Sequence, residues 1–145
     1  MRDEIMRSAA DFSGYVQGTS DDAKARVFAA EGLDVAWESV DSSEDVIVWC
    51  AIGELAQKPA AELTDFLLQA NCFGDKTAGG HLGLYAPSRS LIYSYRFAPS
   101  SDVPTTAGIL QSFVAKALQL VSEAQALQSS LATEDGAMPD SFLPV

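Results

Sequence analysis

One histidine and two cysteines bound the chemistry that this chain of 145 residues can hold. A nucleophile activated by imidazole would have to use His81, because no second histidine exists to take the proton. His81 follows Ala78-Gly79-Gly80 at the head of an apolar run, where a structural role is the simpler account. Cys50 lies inside the most apolar stretch, where cysteine behaves as a small hydrophobe, and Cys72 has no second thiol near it in sequence. One imidazole and two separated thiols do not make a transition-metal ligand set of the usual types. Gly79-Gly80-His81-Leu82-Gly83 lacks the strand-before, helix-after setting of a phosphate loop, and no Gly-Lys-Ser/Thr follows it. Asp21-Asp22 and Glu44-Asp45 sit in turn-forming sequence and read as solvated acids, not as an acid–base dyad. The sequence therefore assigns no catalytic residue, no metal ligand and no cofactor.

Composition narrows the partners. Twenty Asp+Glu against nine Lys+Arg give a net charge of −11, and the cations are scattered, so nucleic acid is excluded as a partner. No apolar run reaches the roughly 18 residues of a membrane span. Met1-Arg2-Asp3-Glu4-Ile5 has none of the apolar character of a signal peptide, and two cysteines are no disulfide scaffold. The expectation is a soluble cytoplasmic protein with reduced thiols and, at 48% hydrophobic residues, a single core.

The elements follow from periodicity. Ile5, Ala9, Phe12 and Val16 give a first helix over residues 3–16, stopped by Gly14 and Gly18. Residues 24–30 make a strand diluted by alanine. Leu33, Val35 and Trp37 then alternate with Asp34, Ala36 and Glu38, a strand with one apolar face. Residues 46–52 differ: Val46, Val48, Cys50 and Ile52 share one face, Ile47, Trp49 and Ala51 the other, and both faces want cover. One face can lie under helices of the same chain; the other needs another helix, a second subunit or a bound partner. The register through residues 39–45 is not readable, so the sequence leaves open which face is which.

Lys58-Pro59 opens a second helix with the stripe Leu63, Phe66, Leu67 and Ala70. Asn71 to Asp75 ends it, and runs at 81–86 and 91–97 form a hairpin about Pro87-Ser88-Arg89-Ser90. The longest helix spans 105–128, with Thr105 or Thr106 as N-cap. Residues 1–130 read as one domain and 131–145 as a flexible acidic tail. The order α-β-β-β-α-β-β-α predicts an α+β fold, a twisted antiparallel sheet of about five strands with three helices.

Leu67-Leu68-Gln69-Ala70-Asn71, the hairpin Leu82-Gly83-Leu84-Tyr85 with Leu91-Ile92-Tyr93, and Phe113-Val114 in the closing helix carry a resemblance. In order and spacing, from about residue 59 to 127, they resemble the effector-dedicated (class I) chaperones of bacterial type III secretion, the Tir-chaperone class. The resemblance implies the same layout in a homodimer, with the middle helix and its stripe Leu63, Phe66, Leu67 and Ala70 at the subunit interface. It also implies a bacterial cytoplasmic protein, not an enzyme and independent of ATP, that holds the N-terminal segment of a secreted effector in extended form. Capture would combine hydrophobic contact with strand pairing at a sheet edge. The first helix and residues 24–30 are more polar and alanine-rich than that family's pattern. Phe28, Leu33, Val35 and Trp37 are expected to form part of the partner groove. The alternative reading is a small non-catalytic sensor or regulatory domain of similar layout, binding a ligand or another protein.

Overall fold

The computed structural model describes residues 1–19, 25–56 and 61–142, with side chains as far as residue 128; Asp21, Asp22, Lys58 and Pro59 lie outside the described residues. In chain order the elements are α1 (Arg2–Phe12), β1 (Val16–Gln17), β2 (Arg26–Ala30), β3 (Leu33–Ser39), β4 (Val46–Glu54), α2 (Ala61–Asn71), β5 (His81–Tyr85), β6 (Ser90–Phe97) and α3 (Val103–Phe142). The α+β architecture is as expected, with six antiparallel strands in place of about five, in the order β1-β2-β3-β4-β6-β5. The additional strand comes from the end of the first helix. Gly14, at φ +79°, turns the chain after Phe12, and Val16 pairs with Ala29 of β2 instead of continuing the helix.

Register decides which side chains become core. Phe28 stands opposite Val35, Trp37 opposite Val48, Val46 opposite Phe97 and Cys50 opposite Tyr93, so all of them share one face. That face is buried against Met6, Ala9 and Ala10 of α1 and Leu110, Phe113, Val114, Ala117 and Leu120 of α3. Each large side chain buried there stabilises the fold by about 1.5–3 kcal/mol. The register is set at the β3–β4 turn, where Ser42 adopts φ +61° and the Val40 N–H donates to the Asp45 carbonyl. The Arg2 guanidinium locks this turn from α1, donating to the carbonyls of Ser43 at 2.6 Å and Asp45 at 2.9 Å.

The remaining elements are tied by polar contacts. Asn71 ends α2 and meets edge strand β5: its Nδ2 donates to the Leu82 carbonyl at 2.8 Å, and its Oδ1 accepts the Leu82 N–H at 2.7 Å. The side-chain amide thus takes the place of a neighbouring strand's peptide group. At the start of α3 the N-cap is Asp102, whose carboxylate accepts the Thr105 N–H at 3.2 Å. The threonines expected to cap instead support that turn: Thr105 donates its hydroxyl to Asp102, and Thr106 donates to the Ser100 carbonyl at 2.7 Å. Gln128, where the apolar stripe runs out, donates to the Glu54 carbonyl at 2.6 Å. The α3 backbone continues to Phe142, past the helix end expected near residue 128.

Burial has a measurable consequence at high pH. It pushes the Cys50 thiol up to about 12 from an ordinary value of 9.0, and the Tyr93 phenol, also facing Cys50 and Tyr95, up to about 12. Both groups stay neutral in the folded chain while the unfolded chain ionises. The contribution of these groups is therefore complete below pH 9.0 and falls as pH rises toward 12, by about 1.4 kcal/mol per pH unit for Cys50 above 9.0 and for Tyr93 above 10.0. Urea unfolding at about pH 8 and about pH 10.5 should show this loss, with a shallower slope for Cys50→Ala. Equal stability at the two values would contradict it.

Candidate functional site

Successive residues of a strand point to opposite faces. The register that sends Val46, Val48 and Cys50 beneath the helices therefore sends Ile47, Trp49 and Ala51 outward. Pairing builds rows on this second face. Val27, Ala36, Trp49, Ser94 and His81 stand opposite one another across β2, β3, β4, β6 and β5. Beside them lie Ala51, Ile92 and Gly83 in one direction and Glu38, Ile47 and Arg96 in the other. No member of these rows is buried: Val27, Ala36, Ile47, Trp49 and Ile92 are partly exposed, and Ala51 is exposed. None of those six belongs to the hydrophobic core or packs at its margin. Among the described residues, no helix covers this face of the sheet.

The face is apolar at its centre and charged at its sides. Asp34 and Glu38 flank Ala36 along β3, and Ala36 is the partner of Trp49. On the β6 side Arg96 donates through Nε to the Asp45 carboxylate at 2.6 Å. His81, exposed, ends the central row.

The residues expected to line a partner groove are elsewhere. Phe28 and Val35 are 0% exposed and Trp37 is 1% exposed, all within the protomer's own core, with Leu33 packed at its margin. The reason is the pairing of Trp37 with Val48, which turns the Leu33-Val35-Trp37 stripe toward the helices. The side chains of Phe28, Val35 and Trp37 are not open to a partner, and Leu33 is partly exposed. The outward residues Ile47, Trp49 and Ala51 carried a signal in sequence, the two-faced apolar pattern of β4.

The stripe expected at a subunit interface also turns inward. Leu63 is 3% exposed and Ala70 0%, with Phe66 and Leu67 packed against the core. The exposed apolar side of this corner lies one residue further round the helix, at Leu68, 67% exposed, with Leu84, Tyr85 and Phe73 nearby in the chain and also exposed. A groove of about 180 Å³ runs between α2 and β5, lined by Leu67, Leu68, Leu82, Leu84 and Leu91 among others. At the opposite edge of the sheet, Val16 of β1 and Phe12 are exposed.

The residues weighed for chemistry are dispersed: Cys50 is buried, Cys72 is exposed, and no group of three or more His, Cys, Asp or Glu that could hold a metal occurs among the described residues. A cleft of about 490 Å³ lies between β6 and α3, lined by Tyr93, Tyr95, Thr105, Ser112 and Phe113 among others. Two of its hydroxyls are already engaged, Tyr93 with the Thr77 carbonyl at 2.7 Å and Thr105 with Asp102. No helix among the described residues is long and apolar enough to cross a membrane.

Comparison with known proteins bears on this geometry. The family model described as the Tir chaperone protein (CesT) family matches residues 33–121, more than half of the chain and all of β3, β4, α2, β5 and β6. A solved structure, that of the ExsC–ExsE complex, aligns over 86% of this chain and 93% of its own, with a TM-score of 0.55 and 13% identity. At that identity the likeness is one of fold. Among curated proteins none matches.

Proposed function

The chain belongs to the Tir chaperone protein (CesT) family, and on that premise we propose that it is a cytoplasmic type III secretion chaperone for the N-terminal segment of a secreted effector. It holds that segment extended, soluble and ready for secretion, without ATP and without catalysis. The observation that carries this reading is the uncovered sheet face centred on Trp49. An extended segment alternates its side chains as a strand does, so every second residue can rest on Trp49, Ile47 and Ile92. Exposed apolar patches rimmed by polar groups mark interaction sites, and a net charge of −11 keeps such a surface soluble while it is empty. The solved structure of similar fold is itself a complex of two proteins.

The test is co-expression with the N-terminal segment of a secreted effector, followed by measurement of its affinity for purified variants. A central aromatic anchor is worth about 2 kcal/mol or more, so Trp49→Ala should weaken capture roughly thirtyfold with the fold intact by circular dichroism. Undiminished capture by Trp49→Ala would move the site off this face.

The same reading makes the protein a homodimer through the exposed side of the α2–β5 corner, with Leu68, Leu84 and Tyr85 at its centre and Phe66 and Leu67 at its rim. Leu68→Glu is expected to give a folded monomer by light scattering, because Leu68 is 67% exposed and lies outside the core of its own protomer. Leu63→Glu is expected to unfold the chain, because it would bury a charge without a partner. A parent protein that is monomeric at micromolar concentration removes the dimer.

A further inference from the structure

We propose that the segment bound on the uncovered face carries a lysine or arginine that lies over Trp49 between Asp34 and Glu38, with apolar residues beside it. This rests on the reading of that face as the partner site and adds the charge of the occupant.

Three features converge on a cation. Trp49 has small neighbours on three sides, Ala36 and Ser94 across the strands and Ala51 two residues along its own, with Ile47 on the fourth, so a long side chain can approach its ring from the β3 side. Indole is the strongest of the side-chain rings for attracting a cation. The acids are placed to finish the contact. Asp34 and Glu38 are each two residues from Ala36 on the same face, about 7 Å along the strand, so a cation above the Ala36–Trp49 pair lies within reach of both. The cation of the face among the described residues, Arg96, stands on the opposite side of Trp49, on β6, and is already paired with Asp45. The face is thus acidic toward β3 and charge-balanced toward β6, and it orients a basic side chain toward β3. A second copy of this chain is the poorer occupant: each copy carries −11, and a copy laid on this face would bring further acid toward Asp34 and Glu38.

The experiment uses the full chain and three blocked heptapeptides that alternate valine with lysine, serine or glutamate, with dissociation constants from titration calorimetry. The lysine peptide is expected to bind at least about tenfold more tightly than the serine peptide and the glutamate peptide most weakly, with the gap closing as salt is raised. Asp34→Asn with Glu38→Gln should reduce the lysine peptide to the level of the serine peptide and leave the serine peptide unchanged. The same loss of charge on the helical side, Glu62→Gln with Asp75→Asn, should preserve the preference. Equal binding of the lysine and serine peptides, or a preference that survives the Asp34/Glu38 variant, overturns the assignment of a cation while the face stands as the partner site. No binding by any peptide, or serine-peptide binding that Trp49→Ala does not weaken, overturns the face itself and this inference with it.

Discussion

Trp37→Ala is expected to lower the free energy of unfolding by about 3–5 kcal/mol, while Trp49→Ala, two positions of opposite facing on adjacent strands, costs about 1 kcal/mol. Trp37 is the largest of the fully buried side chains, and its removal leaves a cavity between the sheet and its helices that a rigid core refills only in part. Trp49 is partly exposed and outside the core, so its truncation leaves no enclosed cavity and forfeits only contacts with its neighbours on the sheet face. Urea unfolding of the two variants under one set of conditions reads the difference. Equal losses, or a larger loss at Trp49, would mean that the sheet presents its other face to the helices. The same pair of variants separates stability from capture, since only the Trp49 change is expected to weaken partner binding in the folded state.

Gly80→Ala is expected to cost stability at the upper end of about 1–3 kcal/mol, or more, for a single added methyl group. A Cβ at Gly80 would sit 2.5 Å from the Ser94 carbonyl oxygen, 2.7 Å from Tyr93 Cε1 and 3.2 Å from the Thr77 carbonyl oxygen. Two of these are backbone atoms, and the third belongs to a ring stacked on Phe113 with centroids 4.7 Å apart. None can retreat cheaply. The variant must move β5 away from β6 or pull Tyr93 from its bond to the Thr77 carbonyl. Thermal unfolding and hydrogen exchange should show the loss centred on β5. Gly83→Ala, within β5 itself and with nothing within 4 Å of the new Cβ, is the control and should be close to neutral. If Gly80→Ala matched that control, the close approach of this loop to β6 would be refuted.

The two-faced pattern of β4 made the need for cover on both sides legible, because alternation survives any choice of register. Which side lies under the helices was not legible. It depends on the count of residues in the β3–β4 turn, where Ser42 takes a left-handed backbone that nothing in its type announces. A slip of one residue there exchanges the faces of an entire strand, and the groove expected at Phe28, Val35 and Trp37 followed from the wrong side. On α2 the apolar stripe was read correctly as a stripe, but spacing does not say whether a stripe packs on its own protomer or on another. β1 was hidden because Val16 continues the spacing of the helix before it, and Gly14 carried the contrary signal. The cap of α3 was misplaced by three or four residues because Asp102 and the two threonines are all good capping residues, and only the fold chooses among them.

The pair of bonds between Asn71 and Leu82 has a consequence for life at high concentration. An edge strand with free peptide groups is a template for growth, and a molecule that also keeps an apolar face bare would be doubly prone to stack into fibres. Here the groups of Leu82 that a foreign strand would seek first are occupied by an amide from the molecule's own helix. Proline or a bulge would close such an edge permanently. A side-chain amide closes it as a bolt does, by rotation about single bonds, so strand growth at β5 is held shut without reshaping the strand itself.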